Sequence, residues 1–159
     1  DDGFDASCRD LLDAHLAARR GDLDHWAATA EGALALLILC DQLSRNLYRG
    51  SPEAFAADSK ARAIAAAAVA RGLDRALTPI QRIFMYLPFE HSEDMADQDR
   101  SVALFEPLRG ELGDQTVDYA LRHRDVIRRF GRFPHRNAAL GRANTAAEED
   151  YLKEPGAGF

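Results

Sequence analysis

Apolar residues recur along the chain mainly three and four positions apart, and no stretch alternates with a period of two, so the pattern predicts an all-α protein. Phe4, Cys8, Leu11, Leu12, His15 and Leu16 line one face of a first helix that should stop at Gly21. A second helix, with Leu36, Leu39, Cys40, Leu43 and Leu47 on its buried stripe, runs over 29–48. Ser51-Pro52 and Thr78-Pro79 each place a capping hydroxyl before a proline at the first helical position, where the missing N–H costs nothing. Thr78 to Gln81 and Thr145 to Glu148 also read as capping boxes. Asp58 and Asp114 are candidate caps, with Gly72, Gly110 and Gly131 as stops. The expected helices are 4–20, 29–48, 52–56, 58–72, 79–91, 94–109, 114–130, 135–140 and 146–153.

Short connections make neighbouring helices antiparallel. The pair starting at 58 and 79 is followed by a pair starting at 94 and 114, a repeat of roughly 36 residues, close to the roughly 34 of tetratricopeptide arrays. The consensus of that repeat is not visible, so the pattern predicts stacked antiparallel hairpins. A chain of 159 residues suits one domain, residues 1–159, with a substantial core.

Composition is that of an ordinary globular protein, too apolar for disorder. The net charge of -6 argues against a general affinity for nucleic acid, which needs a concentrated positive face. The longest apolar run, Ala33 to Cys40, is eight residues and far short of a membrane span. Cys8 and Cys40 have no CxxC or CxxH spacing and read as free thiols; with no signal peptide, a reducing cytoplasm is the expected location.

Three polar stretches stand out against this background. In Leu39 to Gly50, LCDQLSRNLYRG, Asp41, Arg45 and Tyr48 share a helix face and Gln42, Asn46 and Arg49 lie beside them, within a helix whose upstream turns are apolar. An enclosed turn of that composition needs partners or a ligand. In Tyr86 to Ser101, YLPFEHSEDMADQDRS, Pro88 should kink or end a helix, presenting His91, Glu93 and Asp94 at a corner; beyond it Asp94, Asp97, Gln98 and Ser101 form a polar face opposite Met95, Val102, Phe105 and Leu108. The third stretch, Leu121 to Asn137, LRHRDVIRRFGRFPHRN, carries six arginines and two histidines, with Arg124 and Arg128 spaced i,i+4 and His135, Arg136 and Asn137 opening a helix after Pro134.

Two readings compete. In one, the acidic second stretch and the basic third pair off as an ion-pair network that fixes helix packing. In the other, Asp41, Arg45, Asn46, His91, Asp94, Arg124, Arg128, His135 and Arg136 line a polar pocket for a small anionic ligand or a peptide carboxylate. His91 with Glu93, Asp94 and Asp97 offers metal-ligand atoms, but matches no HExxH, EF-hand or ExxH spacing, so no metal or other cofactor is assigned. No phosphate loop or nucleophile elbow is present either. The expectation is a binding protein for a small anion or a partner's tail; a small hydrolase using the His91–Asp94 corner is the alternative, and a structural module forming a homodimer the third reading. Neither nucleic acid nor a membrane is expected as partner.

The stretches DQLSRNLYRGSPEAFAAD, YLPFEHSEDMADQDRSVALF and HRDVIRRFGRFPHRNAALGRANTAAEEDYLKEPGAGF, in this order and spacing, resemble the bacterial domain of unknown function 924 family. The resemblance spans about Phe4 to Phe159. It implies a tetratricopeptide-like, right-handed helical array and assigns no activity. Family members begin with a tryptophan- and phenylalanine-rich helix before the part equivalent to GFDASC, so the resemblance implies that this helix is missing and an apolar groove uncovered. Ser44 stands where the family pattern has proline.

Overall fold

The computed structural model describes residues 11–158, and every regular element among them is helical. Phe4 and Cys8 of the expected first helix lie outside this range. Helix α1 (Leu12–Arg20) ends at Gly21, whose φ of +94° closes the helix in the left-handed conformation. Its buried face is His15 and Ala18; Leu11 and Leu12, expected on that face, are exposed.

The second expected helix forms, but not as one regular rod. It opens with the Thr29 hydroxyl accepting from the Gly32 N–H, runs as α2 (Ala30–Leu37), widens into a π-helical segment (Ile38–Leu43) and finishes as α3 (Ser44–Leu47). Gly32 is required: a β-carbon there would stand 2.1 Å from the Trp26 carbonyl oxygen of the preceding 3-10 turn. Leu36, Leu39, Cys40 and Leu43 are buried, as the stripe predicts, Leu47 is half-buried, and Leu37 is buried besides. π segments are rare and concentrate at functional sites, and this one contains Asp41.

Ala61, Ala65 and Ala68 give helix α4 (Asp58–Ala70) a small-residue face on which α2 packs closely. Asp58 is its first helical residue and not its cap, which leaves the carboxylate available elsewhere. Helix α5 (Pro79–Glu90) starts with the full Thr78–Gln81 capping box. It continues two residues beyond Pro88 before turning at His91, so the proline lies inside its last turn and the corner falls later than Pro88 alone suggests.

Asp94 caps helix α6 (Met95–Phe105) through the N–H groups of Ala96 and Asp97. Gln98 and Ser101, expected on a polar face, are wholly buried between α5 and α6. Gln98 Nε2 donates to the carbonyls of Glu90 (2.6 Å) and Ser92 (2.7 Å), so a buried amide satisfies the orphan acceptors at the end of α5. A 3-10 turn and α7 (Arg109–Leu112) follow; the stop is Gly113, not Gly110, which is helical. Helix α8 (Asp114–Phe130) packs on α6 and ends at Gly131. The expected helix 135–140 is only a 3-10 turn, Pro134–Arg136, and α9 (Ala146–Tyr151) begins with the Thr145–Glu148 capping box.

The main core joins α2, the π segment, α4, α5 and α6 through Leu36, Leu37, Met85, Phe89 and Phe105. A smaller cluster of Val126, Ile127, Phe133 and Tyr151 pins the C-terminal segment to α8. The polar residues described next lie where these two clusters meet. No helix among the described residues is long and apolar enough to cross a membrane.

Candidate functional site

Asp41 is the centre of the buried polar network, with 1% of its surface exposed. Its carboxylate meets His91 Nδ1 and Arg45 Nη1, each at 2.8 Å from Oδ1, and Oδ2 accepts from the Gln42 amide at 2.6 Å. Burial alone would raise its pKa, but the His91 ring, Arg45 and Gln42 outweigh that and hold it at about 2. Asp41 is therefore ionised and accepts, which places the proton of neutral His91 on Nδ1 and leaves Nε2 as an acceptor. Burial pulls the His91 pKa below its ordinary value against the opposing attraction of Asp41, with Arg45 adding to the lowering.

Arg45 reaches across to α4, where both its terminal nitrogens bond Asp58 at 3.0 Å in a two-pronged pair. Arg136 approaches the same carboxylate from the C-terminal segment at 3.7 Å, and its Nη2 donates to the His91 carbonyl oxygen at 2.9 Å. Its guanidinium lies over the Phe55 and Phe133 rings at 4.8 and 4.5 Å. Burial lowers its pKa to about 10, with Arg45 contributing, so it stays charged at neutral pH. Its Nε–H is buried and donates to no partner among the described residues.

A cavity of about 200 Å³ opens on this network, lined by Arg45, Phe55, His91, His123, His135, Arg136 and Gly158. His123 comes from α8 and stands 6.3 Å from His91, ring to ring; its Nδ1 donates to the Tyr119 carbonyl at 2.8 Å and lies 3.3 Å from Glu90 Oε1. Burial holds His123 at about 3 and, with Arg136, His135 at about 4, and it pushes Glu90 up to about 8, helped by the charge on Asp41. At neutral pH the cavity wall therefore carries two guanidinium cations and three neutral imidazoles. The carboxylates of Asp41 and Asp58 sit behind it, and no carboxylate lines it among the described residues.

Of the residues that the sequence singles out, Asp41, Arg45, His91, His135 and Arg136 come together here. Asn46 lies on the neighbouring turn, where it donates to the Gln42 carbonyl and accepts from Arg49. Asp94 is engaged as the cap of α6 and is not the partner of His91. Arg124 is half-buried and faces Asp99 of α6 at 3.5 Å, and Arg128 pairs with Asp125 one turn away with 57% of its side chain exposed. The two arginines at i,i+4 spacing thus lie outside the cleft: α8 turns His123, not them, toward it.

The sequence reading does not place Phe55, His123 or Gly158 at the site, and takes Asp58 only as a helix cap. Asp58 and Phe55 belong to the quoted stretch that contains Arg45, and His123 sits between Arg122 and Arg124; co-occurrence within those stretches was the available signal. Glu93 also differs from expectation. It binds Arg142 through both oxygens, at 2.8 and 2.9 Å, and accepts from the Phe133 N–H, so it anchors the loop that delivers His135 and Arg136. Glu93, Asp94, Asp97 and His91 are thus spent on separate partners, and no group of three or more His, Cys, Asp or Glu is arranged to hold a metal ion among the described residues.

A solved structure of a protein of unknown function from Agrobacterium tumefaciens is similar to this chain: 45% identical, with a TM-score of 0.90, over 96% of this chain and 85% of the other. No curated protein matches the chain. The profile of a family described as bacterial protein of unknown function, DUF924, matches residues 1–156. The chain belongs to that family.

Proposed function

We propose that the cleft between the π segment, the α5–α6 corner and the Pro134–Arg136 turn binds a small oxyanion or short carboxylate. The observation that carries this reading is the one-sidedness of the wall: Arg45, Arg136 and three imidazoles line the cavity while the balancing carboxylates lie behind it. Arginine stacked on aromatic rings is already ordered, so little side-chain freedom is lost when it binds. Drug-sized ligands occupy sites of about 300–1,000 Å³; the cavity of about 200 Å³ favours something smaller. A partner's terminal carboxylate remains an alternative occupant with the same chemistry.

The test is calorimetric titration with sulfate of the wild type and of Arg136→Lys, which keeps the charge but loses the planar fork. The expected result is binding that weakens by about tenfold in the variant. Equal binding by both proteins, or none by the wild type, contradicts the proposal.

One observation favours a catalytic reading of the same cleft. His91 is oriented by a buried carboxylate, as a general base requires, although the partner is Asp41 and not Asp94. Turnover of small phosphomonoesters or carboxylic esters that disappears in His91→Ala would favour it; sulfate binding without turnover leaves the binding reading alone. The homodimer proposal is rejected by a monomeric mass at micromolar concentration.

A further inference from the structure

We infer that the anion enters this cleft together with one proton, and that His91 takes it up. The inference rests on the binding proposal above. It starts from the way the imidazole is held: Nδ1 donates to Asp41 Oδ1 at 2.8 Å, and the ring also lines the cavity. With Nδ1 already protonated, an added proton goes to Nε2 and converts that atom from an acceptor, which repels an oxyanion, into a charged donor.

The charges around the ring explain why the proton needs the anion. Asp41 attracts it. Arg45 beside Asp41 and Arg136 on the His91 carbonyl oppose it, while Asp58, paired with both arginines, offsets their field in part. From α8, His123 stands at 6.3 Å with its own Nδ1 3.3 Å from Glu90; from the C-terminal turn, His135 faces the same cavity. Burial and the two guanidiniums thus keep His91 neutral in the empty cleft. An oxyanion seated between Arg45 and Arg136 offsets their field and supplies an acceptor for Nε2–H, so it stabilises the imidazolium by the same free energy with which the proton stabilises the anion. His91 is the best placed of the three, because its Nδ1 is bonded to ionised Asp41, whereas the carboxyl beside His123 is Glu90, which burial keeps protonated at neutral pH.

Sulfate tests this, since it carries no titratable proton in the neutral range. Its affinity should rise on acidification from neutral pH, approaching about tenfold per pH unit for one proton. Calorimetry in two buffers of different ionisation enthalpy should report uptake of one proton. His91→Asn, which preserves a donor toward Asp41, should bind more weakly with a flat pH profile, while His135→Asn keeps the slope. Sulfate binding with no proton uptake overturns the inference and leaves the binding proposal standing; no binding at any pH overturns both. A slope lost in His135→Asn and kept in His91→Asn overturns the assignment to His91. Should His91→Asn fail to fold, the nitrogen chemical shifts of the wild-type imidazoles at saturating sulfate decide: protonated Nε2 on His91 supports the inference, and neutral His91 overturns it.

Discussion

The chain carries its arginines in two different settings. Arg45 and Arg136 are enclosed, converge from opposite ends of the sequence on Asp58, and are held over aromatic rings. Arg124 and Arg128 sit on α8 away from that cleft: Arg124 is half-buried and faces the exposed Asp99, and Arg128 pairs with Asp125 in solvent. All four look alike in the sequence, and the i,i+4 spacing of the α8 pair makes it the more conspicuous. The difference shows that helical spacing places residues on a face but does not say which face a neighbour covers.

Breaking the enclosed set should have the largest effect. Arg136→Ala removes the cation over Phe55 and Phe133 and leaves the His91 carbonyl and part of Asp58 without a buried partner, a loss of roughly 3 kcal/mol in urea unfolding. An unfolding midpoint equal to the wild type's would mean that the guanidinium is not structural. Next comes Gln98→Leu, which deprives two buried carbonyls at the end of α5 of their donor and should cost about 2 kcal/mol. That variant separates the fold's own polar requirement from that of the cleft.

Glu90→Gln sharpens the comparison through pH. Burial raises the Glu90 pKa from 4.5 to about 8, so in that interval the folded protein retains a proton that the unfolded chain has released. Unfolding then releases a proton, and stability falls as pH rises through the window. His123 and His135, held below their ordinary 6.5, act in the opposite direction, but only on the acid side of it. Between pH 6.5 and 8 the wild type should therefore lose stability with rising pH and Glu90→Gln should not; parallel profiles would remove Glu90 from the account. The smallest effect belongs to the exposed set: Arg128→Ala should change stability by less than about 0.5 kcal/mol and leave sulfate binding unaltered.

What could be read from the sequence was what is locally determined. The capping boxes at Thr78 and Thr145, the stop at Gly131 and the buried stripe of α2 depend on residues within one or two turns of each other, and they stand where the pattern puts them. The π segment around Asp41 does not follow from that pattern, because its wider turn adjusts to tertiary partners such as His15, whose Nδ1 bonds the Leu39 carbonyl. Gln98 was misread for a related reason: its amide is polar by type but is buried by the carbonyls it satisfies. Five of the nine candidate site residues converge because three stretches far apart in sequence meet. His123 joins them because the α6–α8 packing turns one side of α8 inward, and Asp94, Arg124 and Arg128 are left outside.

The most direct test of the cleft is a crystal structure of the protein grown with selenate, whose anomalous scattering locates the ion without ambiguity. The account predicts selenate between the Arg45 and Arg136 guanidiniums within hydrogen-bonding distance of His91 Nε2. Selenate held only by Arg124 or Arg128 of α8, with the cavity filled by water, would contradict it.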